Sequence, residues 1–304
     1  MSARAPGHPL AGAALTLVAV FLFAAMDTSI RVAGAHLPAL LLLTLRYGVQ
    51  AGAMALWIAS RRHLSFRVAH PRFQALRGAL LLSSSVCAFI GLQHLPVPEF
   101  TAVAMLAPVL VTLLSALLLK EPVAPARWVL VAASFAGALI VLRPGSGLFG
   151  WAALFPLAGA LGYASFQVLT TRMSQLDPPL ATHFWTGFTG TSLVLPPLLV
   201  LLPSYTDRLA QVPAGIWALA LFIAACGSFG HLLLVLAYRH ASAATLAPLH
   251  YAQIAFAVLL SWFAFERLPD GPAFAGMLLI AGSGAVSAWL NLRYRTPAAQ
   301  RGAR

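Results

Sequence analysis

Charge is what this sequence has least of. Only 9% of its 304 residues are Asp, Glu, Lys or Arg, while 60% are hydrophobic. A soluble domain carries roughly 25% charged residues, and a soluble chain this apolar could not cover its own surface. Soluble enzymes and nucleic-acid binders are excluded on that ground. Cysteine is scarce too: Cys87 and Cys226 both fall inside apolar runs and supply neither metal-ligand spacing nor a disulfide framework. The chain lacks a glycine-rich phosphate loop, so it is not a nucleotide-driven pump. It also lacks a nucleophile–base pair and any cluster of metal-ligating side chains, so no cofactor is expected. Acidic residues number 7 against 19 basic ones, a net charge of +12. That excess sits between apolar runs, where it sets membrane topology rather than a nucleic-acid footprint.

What is present is length without charge. A membrane-crossing helix needs about 20 predominantly apolar residues, and ten such runs can be marked: 11–31, 38–60, 75–94, 98–119, 126–142, 150–171, 181–202, 214–236, 243–264 and 272–291. Pro and Gly punctuate the short connections between them. The runs are twice too long for barrel strands and do not alternate. The first has no small-residue cleavage site behind it, which predicts a first transmembrane helix rather than a removed signal peptide.

The ten runs read as two copies of one unit, and internal repeats decide architecture first. Residues 98–144 hold two apolar runs separated by Lys120-Glu121-Pro122. Residues 243–290 hold two more, separated by Glu266-Arg267-Leu268-Pro269. Glu121 and Glu266 are 145 positions apart (266 − 121), as are Gly137 and Gly282. With the N-terminus inside, fourteen Lys or Arg face the cytoplasm (4, 61, 62, 67, 72, 77, 120, 127, 172, 239, 293, 295, 301, 304) against four outside (31, 143, 208, 267), so both termini are expected to be cytoplasmic. Five runs per half is an odd number, so the second half is inserted upside down. The expected fold is all-α integral membrane, ten transmembrane helices as two inverted five-helix repeats, residues 1–145 and 146–304, the latter with a short cytoplasmic tail. Secondary transporters are built this way, with the substrate site near the midplane between the halves.

The proline mid-way along the fourth run (Leu106-Ala107-Pro108-Val109), Lys120-Glu121-Pro122 closing it, the Gly137-containing fifth run and the echo at Glu266 together resemble the drug/metabolite transporter superfamily, EamA type. The resemblance covers roughly residues 10–292. It implies ten helices, cytoplasmic ends and alternating access to a central cavity. One departure stands out: Gln253 aligns with Pro108, and the proline has moved to Pro248, so the ninth helix is expected to kink about one and a half turns from its counterpart. The segment Met26-Asp27-Thr28 with Arg31 also resembles carriers of large metabolites such as riboflavin or S-adenosylmethionine.

A charge at the centre of a membrane helix costs about 2.5–3.5 kcal/mol on insertion scales, so each one within a run is a candidate. Asp27 lies in the first run. Arg46 lies about eight residues into the second, roughly 12 Å deep at 1.5 Å per residue. An ion pair between them would lower the cost of both. Gln50 is one turn beyond Arg46. Offsetting the first run by 140 sets Gln167 against Asp27 and Tyr163 against Phe23. His250, Tyr251 and Gln253 are polar groups at depth in the ninth run. These eight, Asp27, Arg46, Gln50, Tyr163, Gln167, His250, Tyr251 and Gln253, are the expected substrate contacts. His231 reads as a hydrogen-bonded core histidine, Ser83, Ser84 and Ser85 as bonding back to helix carbonyls, and Trp151, Phe184 and Trp185 as interfacial anchors. Gly48-Val-Gln-Ala-Gly52 is a G-x-x-x-G, which permits close helix contact. Glu121 and Glu266 are expected to cap the helices that follow them.

The function expected is secondary active transport of a small organic metabolite or drug-like solute across a bacterial inner membrane. Asp27 would be the coupling carboxylate if protons drive it. The expected partners are a small-molecule substrate and the lipid bilayer, without nucleic acid, the protein being a monomer or homodimer. The competing reading, a membrane-embedded enzyme acting on a lipid or isoprenoid, needs clustered carboxylates or a His/Asp constellation at a membrane face.

Overall fold

The structure, a computed structural model, describes residues 9–61, 64–119, 125–143, 150–173, 177–240 and 243–301. Lys120, Glu121 and Pro122 lie outside them, and with them the expected Glu121 cap. All regular structure among the described residues is helical. The helices are α1 (Pro9–Ala33), α2 (Ala39–Ala59), α3 (Pro71–His94), α4 (Val97–Ala104), α5 (Ala107–Leu119), α6 (Pro125–Leu142), α7 (Leu154–Met173), α8 (Pro179–Leu201), α9 (Thr206–Ala210), α10 (Ala214–His240), α11 (Ala243–His250), α12 (Ala252–Phe265) and α13 (Gly271–Arg301), with short 3-10 turns before α7 and after α8.

Among the described residues, seven stretches are helical, long and apolar enough to cross a membrane: Leu10–Ala33, Ala39–Ala59, Pro71–His94, Gly150–Thr170, Pro179–Ser204, Ala214–Leu234 and Pro248–Phe265. Three shorter apolar helical stretches, Val97–Val111, Trp128–Leu142 and Gly271–Ser287, accompany them. Backbone polar groups must be satisfied internally in a bilayer, and a helix does so. Large apolar side chains such as Leu56, Leu199, Val200 and Phe263 point outward, as lipid-facing residues do.

Two rods are broken, and at matching places. α4 gives way to α5 where the Leu106 amide bonds to the Val103 carbonyl, and α11 to α12 where the Tyr251 amide bonds to the Pro248 carbonyl. Both are tight three-residue turns, and both of their members are 145 apart (251 − 106 and 248 − 103). The expected displacement of the second kink is therefore corrected. Pro108 sits at the start of α5, where a missing amide costs nothing. Pro248 lies inside α11, which runs on to His250 before breaking. The two prolines stand differently relative to a break that itself keeps register.

α1 packs on α10, α2 on α8 and α10, and α3 on α7 and α8. α6 packs on α13, α5 and α4 on α7, and α12 and α11 on α1. Glycine sets two of these approaches. At the α2–α8 crossing a Cβ on Gly187 would lie 2.8 Å from the Ala51 amide nitrogen, and one on Gly190 would lie 2.3 Å from the Tyr47 ring. Gly48 and Gly52 face nothing within 4 Å, so the expected G-x-x-x-G contact is corrected: the close approach belongs to α8. At α6–α13, Gly137 and Gly276 face each other's carbonyls, while Gly282 is in open space. Glu266 does not cap the helix that follows it. It ends α12 with φ +51°, and the residue capping α13 is Asp270, whose Oδ1 accepts from the Ala273 amide at 2.9 Å.

Candidate functional site

A cavity of about 130 Å³ lies among residues of α1, α2, α3, α4, α7, α10, α11 and α12. α1 contributes Phe23, Met26, Asp27 and Ile30, α2 contributes Arg46, and α3 contributes Leu81, Ser84, Ser85, Ala88 and Phe89. Phe100, Ala104 and Met105 come from α4 and its break. From later in the chain come Gly159, Ala160 and Tyr163 of α7, His231 of α10, His250 of α11 and Gln253 of α12. The wall is aromatic and thioether, with a few charged and polar groups set into it, the composition of a small-molecule site.

The charged groups are held apart. Arg46 Nη1 donates to Ser85 Oγ at 2.5 Å. Ser85 gives its own hydrogen to the Leu81 carbonyl at 2.9 Å, so it accepts from Arg46, and from the Tyr47 hydroxyl at 2.7 Å. Asp27 Oδ2 accepts from Gln253 Nε2 at 3.3 Å. Among the described residues the ion pair within 4.0 Å is Arg143–Asp270. The expected Asp27–Arg46 pair is thus corrected: the arginine reaches across to α3 and the carboxylate to α12. Both charges share one cavity without neutralising each other in contact.

Of the eight expected contacts, Asp27, Arg46, Tyr163, His250 and Gln253 line the cavity, and Gln50, Gln167 and Tyr251 do not. Gln50 is buried and donates to the His183 carbonyl at 3.0 Å, because α8 packs close on this face of α2. Gln167 is one turn past Tyr163 and neighbours that residue instead. Tyr251 occupies the α11–α12 break with its ring over Gly284. The 140 offset does bring Phe23 and Tyr163 to the same cavity. His231, read as a core histidine, is part of the wall, and its Nδ1 donates to the Gly227 carbonyl at 2.8 Å. Phe89, Phe100 and Met105 were not singled out, since one aromatic or Met in an apolar run carries no signal of its own. Trp185 donates to the Phe66 carbonyl at 3.0 Å, and Trp151 is largely exposed beside His94 and Phe155; neither reaches the cavity.

A second polar cluster ties α3 to α7 and α8. Arg77, counted from sequence among loop arginines, is buried. Its Nε donates to Gln74 Oε1 at 3.0 Å, Nη1 to Thr170 at 3.2 Å, and Nη2 to the Thr182 carbonyl at 2.6 Å and to the Thr186 hydroxyl. Gln74 in turn donates to Asp177 Oδ2 at 2.6 Å. Glu99, also unmarked in the sequence, is buried in the first turn of α4.

Residues 10–143 and 150–288 each match the EamA-like transporter family. The chain belongs to this family. It is 33% identical to a riboflavin transporter of Rhizobium johnstonii, over 69% of this chain and 68% of that protein. It is 28% identical to a riboflavin transporter of Vibrio cholerae serotype O1 over 95% and 96%, and 27% identical to the pseudopaline exporter CntI of Pseudomonas aeruginosa over 88% and 93%. This EamA-type protein is therefore a multi-pass membrane transporter of the drug/metabolite superfamily and not a lipid-acting enzyme.

Proposed function

We propose that the protein is a secondary carrier that moves a small, ring-bearing organic metabolite by alternating access, with riboflavin the first substrate to test. The cavity carries this reading: groups from residues before 145 (Phe23, Asp27, Arg46, Phe100) and after it (Tyr163, His231, His250, Gln253) converge on one polar-studded, aromatic space. Its volume, about 130 Å³, is below the roughly 300–1,000 Å³ of ordinary metabolite pockets, so loading a ring system requires the two sets of helices to part. Rocking of one half against the other does that.

Ten membrane-crossing rods in two inverted halves, 1–145 and 146–304, fit the helix contacts. Exchanging the halves turns α1–α10 into α7–α3, α2–α10 into α8–α3, and α1–α12 into α7–α5, while α2–α8 and α6–α13 map onto themselves; every one of these contacts is present. The shared 145 offset of the two breaks supports the same reading. The excess of basic residues on one side supports cytoplasmic termini in a bacterial inner membrane. Aromatic walls suit a flavin ring, and the similarity to riboflavin transporters favours that class.

The test uses full-length protein in sealed liposomes. Labelled riboflavin should accumulate inside above its external concentration when a solute or proton gradient is imposed, and a protonophore should abolish uptake if protons drive it. Asp27→Asn should lose accumulation while retaining exchange if Asp27 is the coupling carboxylate. Equal uptake by empty and protein-bearing liposomes for riboflavin and for other ring-bearing metabolites would refute the substrate class.

A further inference from the structure

Among the described residues, three buried polar atoms at or near the cavity have no hydrogen-bond partner: Nε of Arg46, Nε2 of His183 and Nε2 of His231. Their neighbours fix what each one offers. His231 Nδ1 lies 2.8 Å from the Gly227 carbonyl. A carbonyl only accepts, so Nδ1 carries the hydrogen, and in the neutral ring Nε2 is a bare acceptor. His183 is the reverse. Its Nδ1 faces the amide nitrogen of Gln50 at 3.3 Å, and that nitrogen also donates to the His183 carbonyl at 3.0 Å. The carbonyl contact fixes which end of Gln50 is nitrogen. Nδ1 of His183 therefore accepts, and its Nε2 carries the hydrogen.

The three side chains lie near one another. The two imidazole centroids are 6.5 Å apart with planes tilted by 32°. A Cβ on Gly227, whose carbonyl holds His231, would be 2.7 Å from Arg46 Nε. One acceptor and two donors are thus without partners where α2, α8 and α10 meet, and two of the three side chains, Arg46 and His231, line the cavity.

We infer that this junction is a subsite for a hydroxyl-bearing chain on the transported molecule. The inference rests on the cavity being the transport site. A hydroxyl donates one hydrogen and accepts others, so neighbouring hydroxyls give to His231 and take from His183 and Arg46. A carboxylate or phosphate offers only acceptors and sets a lone pair against that of His231. An ammonium offers only donors and opposes His183 and Arg46. Neither imidazole can exchange its hydrogen to suit such a group without giving up Gly227 or Gln50.

The test titrates full-length protein in lipid nanodiscs with three flavins that share one ring: lumiflavin, with a methyl in place of the tail; riboflavin, with its hydroxylated tail; and riboflavin 5′-phosphate. Riboflavin should bind about tenfold tighter than lumiflavin, the worth of one well-made hydrogen bond or two weaker ones, and the phosphate should bind more weakly than riboflavin. His231→Phe keeps a ring against Phe23, now 4.9 Å away, but has no acceptor. It should remove the riboflavin advantage, so that the two flavins bind within about twofold of each other, and His231→Gln, which restores an acceptor, should recover part of the difference. Wild-type protein that binds lumiflavin and riboflavin equally overturns the subsite while the cavity reading stands, and needs no variant to fold. Equal losses for both flavins in His231→Phe, or tighter binding of the phosphate, overturn it as well. Failure of all three flavins to bind overturns the reading of the cavity for this ligand class and the subsite with it.

Discussion

Replacing Asp177 by Asn should cost stability only while Arg77 is present. Gln74 is fully buried between the two, and its amide is held at both ends: Nε2 donates to Asp177 Oδ2 at 2.6 Å, and Oε1 accepts from Arg77 Nε at 3.0 Å. The other Asp177 oxygen accepts from the Ala69 amide at 2.6 Å. A carboxylate accepts twice, but the carboxamide of Asp177→Asn accepts at one end only. One of the two donors then faces another donor, at a cost of about 1–3 kcal/mol. Turning the Gln74 amide over would relieve it, but would set Gln74 Nε2 against Arg77 Nε. Arg77→Met alone should cost about 3–5 kcal/mol, because it removes the charge-assisted bonds and leaves a buried carboxylate without its nearby cation. In that background Gln74 is free to turn, and adding Asp177→Asn should cost under about 0.5 kcal/mol. The expected interaction energy is about 1–3 kcal/mol, read by equilibrium unfolding in mixed micelles from tryptophan fluorescence. Costs that add to within about 0.5 kcal/mol would mean that the amide does not transmit one substitution to the other.

Asp27→Asn and Arg46→Gln should each impair transport, yet their effects on melting temperature should add, since the two side chains bond to Gln253 and Ser85 rather than to each other; a double variant markedly more stable than that sum would show that they do pair. Gly137→Val should destabilise by about 1–3 kcal/mol through overpacking, because its Cβ would lie 2.9 Å from the Gly276 carbonyl oxygen, whereas Gly282→Ala should be neutral within about 0.5 kcal/mol. Asp270 has its carboxyl held below the ordinary value of 3.8 by the Ala273 amide first and the Arg143 guanidinium second. Its folded form is favoured when ionised, so its stabilisation of the α13 start is full above that ordinary value and is lost as pH falls through the lower folded value. Exchange of the Ala273 amide should rise over that acidic range, and Asp270→Asn should flatten the dependence. A C-terminal alkaline phosphatase fusion should be inactive and a fluorescent one bright; an active phosphatase would reverse the orientation.

How much of the site was legible follows from what kind of signal each residue carries. Asp27, Arg46, Gln253 and His250 could be found because polarity inside an apolar run is costly wherever the run ends up, so it marks itself. Arg77 and Glu99 are just as costly, but they lie near the ends of their runs, where sequence cannot tell a buried charge from a loop charge. The aromatic wall of Phe89 and Phe100 was invisible, because a core ring, a lipid-facing ring and a ligand-facing ring are the same letter in the same kind of run. Gly48 and Gly52 carried a packing motif, yet a Cβ on either would meet nothing within 4 Å among the described residues, while Gly187 and Gly190 carried no such spacing and make the contact, since close approach depends on which face of α8 meets α2.

The sequence by itself determined that the chain lives in a bilayer, that it is helical there, and that residues 10–143 and 150–288 carry the same family pattern. Those properties follow from the hydrophobicity and spacing of residues along the chain, which need no neighbour to be expressed. Only the tertiary structure decided that Asp27 turns to Gln253 and Arg46 to Ser85, that Gln50 turns to His183 of α8, and that the hydrogens on His183 and His231 are set in opposite senses. A side chain's partner depends on the rotation of its helix and on the helix brought against it, and both are fixed by the packing of residues far away in the chain.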